Sequence, residues 1–171
     1  GDSNTFLGFR AGDANTTASN NTAVGRDALG ATTTSGDNVA AGYLAMAVNT
    51  TGYGCTAVGA YALDANQTAN YNTAVGFSAL TTNTTGAHNN TCVGFDTRTD
   101  EYNSYGATTI GYNGTGVGSE HITIVNGSNK TSVAIGSTNW AGTSDQRLKE
   151  NIQSSTAGLS FINDLRPVTF D

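Results

Sequence analysis

A five-residue pattern of polar, small and aliphatic positions recurs along the first two thirds of the chain. Asn-Thr-Ala-Val-Gly occurs verbatim at Asn21–Gly25 and at Asn72–Gly76. The near-copies are Asn4–Gly8, Asn38–Gly42, Cys55–Gly59, Asn90–Gly94 and Ala107–Gly111. Successive closing glycines are 17 residues apart, except for one step of 18. A fixed short period of this kind predicts a solenoid in which each period forms one coil.

Each column of the repeat favours a short strand followed by a bend. Thr and Val, at the second and fourth positions, are residues that favour strands. Glycine at the fifth position allows the backbone to take a positive φ at a corner. Asn at the first position can stack into a ladder or cap a turn. Seventeen residues are too few for a helical repeat or a propeller blade, so we predict a β-coil with two short strands and two turns.

The alternation within each strand bears on how the coils are covered. In Thr22-Ala23-Val24, Thr22 and Val24 share one face and Ala23 lies on the other, and neither face is charged in any copy. A strand that is apolar or small on both faces is typical of strands buried on both faces. We therefore expect one face to fill the coil interior and the alanine face to require a close neighbour. Other copies of the chain would supply it, and a homotrimer satisfies this requirement, although the period does not fix the number of copies.

The composition limits the classes of partner. Of 171 residues only 12% are charged, and the net charge is -6. An acidic chain lacks the basic face that binds nucleic acids or anionic membranes. No apolar run approaches the roughly 18 residues that are needed to span a bilayer. The first residue is Gly, which indicates a piece of a longer chain. Cys55 and Cys92 occupy different columns two coils apart, so we expect two free thiols.

The chain divides into three regions by period and composition. Residues 1–118 form the repeat array. In residues 119–143 the period fails, and the alternating His121–Val125 followed by Asn126-Gly127 predicts a hairpin or an altered coil. Residues 144–171 contain 7 of the 20 charged residues and the only proline. There we predict two short amphipathic helices followed by a strand, which makes this a short α+β segment.

The repeat itself resembles a known family. The Asn-Thr-Ala-Val-Gly pattern, and Ser132-Val133-Ala134-Ile135-Gly136 even more closely, resemble the head repeats of trimeric autotransporter adhesins. Similar arrays occur in phage tail fibres. The resemblance covers about residues 4–136. It implies a left-handed β-roll that assembles as a trimer, which agrees with the all-β solenoid predicted from the period.

A second resemblance begins at Ser144. The string Ser-Asp-Gln-Arg-Leu-Lys-Glu-Asn-Ile at 144–152, followed by Leu-Arg-Pro-Val-Thr-Phe at 165–170, resembles the start of the S74 peptidase family. These are intramolecular chaperones of phage tail spikes and fibres, which trimerise, drive folding of the preceding fibre and then cut themselves off. The resemblance implies that Ser144 is the nucleophile, that Lys149 is its base and that the scissile bond is Thr143–Ser144. The family domain extends well beyond the length seen here, so we expect that this segment alone neither trimerises nor cleaves.

Other residues capable of chemistry have a structural interpretation that is simpler. His88 and His121 stand in different coils without a second ligand at metal spacing, and neither a metal nor a cofactor is expected. The acids Asp96, Asp100 and Glu101 could suggest a glycosidase pair, but isolated carboxylates on turns are usually solvated. The glycines in 114–118 lack the strand and helix that a phosphate loop needs.

Aromatic residues recur near a corner of the coil. They are Tyr43, Tyr61, Tyr71, Phe77, Phe95 and Tyr112. Such a stripe could bind sugar rings, but packing in the core or between copies is the favoured interpretation.

These observations favour a structural and binding segment of a viral tail fibre used in host attachment, located on a virion or otherwise outside the cell. The expected partners are further copies of the chain, neighbouring fibre segments and a host glycan or protein receptor. The only chemistry expected is autoproteolysis by a serine peptidase. The alternatives are the head of a bacterial adhesin on the cell surface, a tail spike that degrades polysaccharide, and an ice-binding solenoid. Ice binding favours a flat surface with two parallel columns of Thr. Here each coil supplies one Thr, so only one column forms.

Overall fold

The computed structural model describes residues 1–81, 85–100, 103–137 and 141–142. This part of the chain contains twelve strands and no helix. The strands are β1 (Thr5–Leu7), β2 (Thr22–Val24), β3 (Val39–Ala41), β4 (Thr56–Val58), β5 (Thr73–Val75), β6 (Thr91–Val93), β7 (Thr97–Arg98), β8 (Thr108–Tyr112), β9 (Gly114–Thr115), β10 (His121–Asn126), β11 (Asn129–Ala134) and β12 (Ala141–Gly142). Ten of them form one sheet in the order β1-β2-β3-β4-β5-β6-β8-β10-β11-β12.

The repeat forms a stack of parallel strands in register. Thr22 pairs with Val39, and Val39 pairs with Thr56, so each residue lies beside its counterpart in the next period. The same register continues through β6 and β8. The protein is therefore an all-β solenoid of about seven coils with a period of about 17 residues, which confirms the fold class expected from the glycine spacing.

Most coils contain one strand, where the sequence predicted two. The opposite side of the coil still bonds to the next one, for example from the Leu29 N–H to the Ala45 carbonyl at 3.1 Å. Leu29 and its counterparts Met46 and Leu63 have φ of 51°, in the left-handed region. That conformation costs a non-glycine residue about 1–3 kcal/mol, and burial of the leucine side chain offsets it by about 1.5–3 kcal/mol. Left-handed residues interrupt the extended backbone, so strands do not form there.

The alanine face of the strand is the interior of the coil, contrary to the expectation from the sequence. Ala23 is fully buried, whereas Val24 is 38% exposed. The interior is narrow because small side chains of the strand meet the aliphatic residues of the opposite side. The main buried cluster is Ala23, Ala28, Leu29, Ala40, Ala45, Met46, Cys55, Ala57, Ala62, Leu63, Ala74, Ala79, Leu80 and Cys92. The face that lacks a neighbour is therefore the one that carries Thr and Val.

The closing glycines are required by the close approach of successive coils. Gly59 has a φ of 133°, and a Cβ added to it would collide with the carbonyl oxygen of Gly76. Gly76 stands in the same relation to Gly94. Any side chain in this column would push two coils apart, which explains why glycine recurs at every period.

The asparagines of the first column connect each coil to the next. The Asn21 Oδ1 accepts the Asn38 N–H at 3.0 Å, and its Nδ2 donates to the Ser35 carbonyl at 2.9 Å. Asn38 repeats this pattern with the Cys55 N–H at 2.9 Å and the Gly52 carbonyl at 3.0 Å. Both side chains are fully buried. The amide group thus satisfies polar backbone groups that the turn leaves without a strand partner.

Cys55 occupies one place in this asparagine ladder. Its Sγ accepts the Asn72 N–H at 3.4 Å and lies 3.4 Å from the Ala69 carbonyl, to which the thiol donates. The thiol therefore acts as both acceptor and donor, as the amide does in neighbouring coils. Sulfur forms weaker hydrogen bonds than an amide, so this coil boundary is held less strongly.

The single 18-residue step is absorbed at a corner of the coil. The Thr68 Oγ1 donates to the Thr85 carbonyl, 17 residues away. Two residues later, the Asn70 N–H donates to His88 Nδ1, 18 residues away. The additional residue therefore enters between Thr85 and His88, outside the strands, and the register of β5 with β6 is preserved.

A hairpin changes the direction of pairing at the end of the stack. Strand β10 pairs in parallel with β8 and antiparallel with β11, across the turn at Gly127 and Ser128. Ser132–Ala134, the segment most similar in sequence to the adhesin repeat, lies in β11 and runs antiparallel to β10. This segment is therefore one arm of a hairpin and not a further parallel coil, as the alternating pattern at His121–Val125 predicted.

We predict that the asparagine ladder can be weakened or repaired at Cys55. Cys55→Ala should lower the free energy of unfolding by about 1–3 kcal/mol, because the buried Asn72 N–H loses its partner, whereas the Ala69 carbonyl keeps the Asn66 side-chain amide. Cys55→Asn should equal or exceed the wild type. Urea unfolding followed by circular dichroism measures both.

The matched control is Cys92→Ala, which introduces the residue that the same column has in four other coils. It should lower the free energy of unfolding by less than Cys55→Ala does. If the two alanine variants were equally destabilised, the effect at Cys55 would be one of lost volume alone, and the hydrogen-bonding role would be contradicted.

Candidate functional site

An uncharged aliphatic column runs along the outside of the ten-stranded sheet. We call it the outer stripe, and it consists of Leu7, Val24, Ala41, Val58, Val75, Val93, Ile110 and Ile124, which pair consecutively from β1 to β10. Val58 is 39% exposed and Ile124 is 53% exposed. No charged residue occurs in strands β1 to β6. A contiguous apolar column on a single chain is typical of an interaction surface.

A row of aromatic rings adjoins the outer stripe. We call it the aromatic ladder, and it consists of Tyr43, Tyr61, Phe77, Phe95 and Tyr112. The Phe77 and Phe95 centroids are 5.6 Å apart with an interplanar angle of 11°, and Phe95 and Tyr112 are 5.4 Å apart at 20°. Tyr61 fills the gap that Ala60 leaves in the column, with its centroid 5.3 Å from that of Tyr43.

The aromatic ladder is a surface feature rather than part of the core. Phe77 is 48% exposed. The stacked rings turn their faces toward each other, so these faces are not free for a sugar ring. Tyr71, which the sequence placed in the same group, lies elsewhere and meets Tyr53 edge-on at 4.9 Å. Of the two uses favoured from the sequence, packing in the core is therefore wrong.

A cation extends the aromatic row toward the first coil. The Arg26 guanidinium carbon lies 5.9 Å from the Phe9 ring centroid and 5.7 Å from the Tyr43 centroid. Arg26 also pairs with Asp27 at 3.0 Å. The guanidinium therefore contacts two aromatic rings and one carboxylate. Exposed contacts of these kinds contribute about 0.5–1 kcal/mol each to stability.

The two histidines contact backbone groups. His88 Nδ1 accepts the Asn70 N–H at 2.9 Å, so this side chain connects two consecutive coils. His121 Nδ1 lies 2.8 Å from the Ser119 carbonyl oxygen, an arrangement that requires a proton on that nitrogen. Within the described part of the chain, no group of three or more His, Cys, Asp or Glu side chains is arranged to hold a metal ion.

The acids of the sixth coil also have local partners. Asp96 pairs with Arg98 at 2.9 Å, and the Asp100 Oδ1 accepts the Ser104 hydroxyl at 3.3 Å. Glu101 lies outside the described residues. The glycine-rich stretch begins with Gly114–Thr115, a strand that pairs with β7 and not a loop that opens a helix. Charge neutralisation of Asp96 argues against a pair of catalytic carboxylates here.

Both cysteines are buried and free. Burial raises the pKa of the Cys55 thiol to about 11 and that of Cys92 to about 12. The protonated form therefore predominates at neutral pH, and a protonated thiol is a poor nucleophile. Their contribution is structural.

Thr143, Ser144 and Lys149 lie outside the described residues. The comparison of sequences bears on them directly. Residues 144–171 match the family Peptidase_S74, described as the chaperone of endosialidase. The match begins at Ser144 and covers about a sixth of the chain. No curated protein and no solved structure matches.

The chain thus combines a parallel β-solenoid with a C-terminal segment similar to the chaperone of endosialidase family. Together they fit a phage tail fibre or endosialidase-like protein with an intramolecular chaperone. A search of the described residues for a membrane-spanning helix finds none of sufficient length and hydropathy.

We predict that the aromatic ladder stabilises the stack. Phe77→Ala should lower the free energy of unfolding by about 1–3 kcal/mol, because the ring contacts both Tyr61 and Phe95 and each aromatic pair contributes about 0.5–1.5 kcal/mol. Thermal unfolding measures this. Tyr105→Ala is the control, since Tyr105 is similarly exposed and no ring contact is found for it among the described residues. Equal losses in the two variants would contradict a role for ring pairing.

We predict that neither thiol reacts readily in the folded protein. At pH 8 a thiol with a pKa of about 11, as Cys55 has, contains roughly a hundred-fold less thiolate than an ordinary thiol with a pKa of 9.0. Alkylation by iodoacetamide at pH 8 should therefore be at least about a hundred-fold slower than in 8 M urea. Mass spectrometry counts the modified thiols, and rapid modification of either cysteine in the folded state would contradict burial.

Proposed function

We propose that this chain is a structural and binding segment of a viral tail fibre or similar appendage that serves in host attachment. The solenoid forms the shaft or tip, and the C-terminal segment belongs to a chaperone that assembles three copies and then cleaves itself off. The single observation that carries this proposal is the match of residues 144–171 to the chaperone of endosialidase family, in a chain whose preceding part is a β-solenoid.

The solenoid supports a structural role. Side chains with potential chemistry already have protein partners: His88 accepts a backbone N–H from the preceding coil, and Asp96 pairs with Arg98 in its own coil. Its regularity suits an elongated element that holds a binding surface away from the particle. The partners are then further copies of the chain, adjacent fibre segments and a host glycan or protein receptor. The location is a virion, outside the cell.

A chaperone is physically reasonable for such a chain. The coil interior contains mainly alanine and one Leu or Met per coil, so each coil buries little apolar surface. Repeat proteins are stabilised by contacts between neighbouring repeats, and a first coil must form without them. Holding three chains together would lower the entropic cost of starting the stack.

The proposed cleavage uses two residues of the family string. Lys149, in its neutral form, accepts the proton of the Ser144 hydroxyl. The Ser144 oxygen attacks the carbonyl carbon of Thr143, and the peptide C–N bond breaks as Lys149 returns the proton to the Ser144 nitrogen. Water then hydrolyses the ester. The products are a new carboxylate at Thr143 and a new amino terminus at Ser144.

The test is the mass of the product from the full-length precursor that contains this chain. Wild type should yield a fragment that ends at Thr143, whereas Ser144→Ala and Lys149→Ala should remain intact, with at least about a thousand-fold slower cleavage.

The matched controls are Ser128→Ala and Lys130→Ala, which remove the same groups from the exposed hairpin. Both should cleave like the wild type. Identical masses for the wild type and Ser144→Ala would refute autoproteolysis, and cleavage that persists in Lys149→Ala would refute the assignment of the base.

A further inference from the structure

We infer that copies of this chain contact one another through the outer stripe and the adjoining edge of the aromatic ladder. This inference rests on the proposed self-assembly and identifies the surface that performs it. The sequence suggested the alanine face for this purpose, but that face is the coil interior.

The first argument is exposure without charge. The members of the outer stripe other than Ala41 are between 36% and 66% exposed, although all of them are aliphatic. The Thr column beside them is half-buried and also uncharged. The charged residues of the coils stand at other columns, as Asp27, Asp64 and Asp96 do. An apolar column this regular is unfavourable in water unless another surface covers it.

The second argument is that the occupant has to be recognised by side chains. Backbone N–H and C=O groups of β2 to β6 and of β8 are already used in pairing with the strands on both sides. A peptide cannot therefore add to the middle of this sheet as another strand. A glycan would require polar groups that alternate with ring faces, and the outer stripe has only methyl groups flanked by threonine.

The third argument is the match of periods. The outer stripe presents one aliphatic side chain per coil, and coils are about 4.8 Å apart in a parallel sheet. A second copy placed alongside with its axis parallel presents the same spacing, so every coil finds an equivalent neighbour at its own height. A closed ring of copies repeats the contact, as symmetry requires. Most other proteins would match such a surface over only a few coils.

The fourth argument is size. Eight strands extend over about 34 Å, and a column with its flanking threonines is about 10 Å wide, which gives roughly 340 Å² per copy. Adding the edge of the aromatic ladder raises this to roughly 550 Å² per copy, or about 1,100 Å² for both partners, near the lower limit for a specific interface. Contacts of this size hold copies weakly, which agrees with a fibre whose assembly a chaperone domain assists.

The experiment introduces charge into the outer stripe of the full chain. Val58→Lys with Val75→Lys places two ammonium groups in consecutive coils, and these would be buried without partners in the assembly. Analytical ultracentrifugation should show wild type as an oligomer and the double variant dissociating at least about a hundred-fold more readily. Circular dichroism verifies that the β-structure remains.

The matched control is Thr34→Lys with Thr51→Lys, which adds the same charges, 17 residues apart, at exposed positions of the linker side. It should associate like the wild type. A milder pair, Val58→Thr with Val75→Thr, keeps strand propensity in case the lysines prevent folding, and it should weaken association about ten-fold.

The outcomes separate the two proposals. If the lysine double variant associates as tightly as the wild type, the outer stripe is not the contact surface between copies. The stripe would then be a binding surface for a different molecule. A wild-type chain that remains monomeric at all concentrations would overturn self-assembly itself. Loss of association in the lysine and threonine pairs, with the linker pair unaffected, supports the inference.

Discussion

The solenoid depends on the buried amide side chains that hold one coil to the next. Asn21 and Asn38 each bond across a coil boundary through both the oxygen and the nitrogen of the amide. An unpaired backbone N–H at such a position costs about 1–3 kcal/mol. The interior behind it is lined by alanine and cannot offset many such losses. Polar satisfaction, more than hydrophobic burial, therefore determines whether these coils stack.

Much of this architecture could be predicted because the repeat displays it column by column. The glycine spacing indicated the solenoid, and the Asn column indicated the ladder. Two features could not be predicted. Alternation shows that Thr22 and Val24 share a face, but it does not show that this face points outward. Leucine rarely adopts a left-handed backbone, so nothing in the sequence indicated that Leu29 would replace the second strand.

The residues of the candidate site likewise include some that could be predicted from the sequence and some that could not. The string that begins at Ser144 could be identified because its residues are contiguous, and the family match covers it. The tasks of other residues depend on atoms in the next coil. His88 accepts a backbone N–H from 18 residues away, and Tyr61 occupies a position in the aromatic row that the column assigns to Ala60. That a residue of one column occupies the place of a residue of another can be seen only in the three-dimensional structure.

The corner that absorbs the 18-residue step indicates how this solenoid can evolve. One residue inserted between Thr85 and His88 leaves the neighbouring strands in register. One residue deleted within Thr22–Val24 would turn alanine outward and valine inward for that coil. Recombination between gene copies of the repeat, in units of 17 codons, would lengthen or shorten the solenoid without disturbing any coil that remains. The length of the solenoid can then vary among descendants while the segments at its two ends are inherited unchanged.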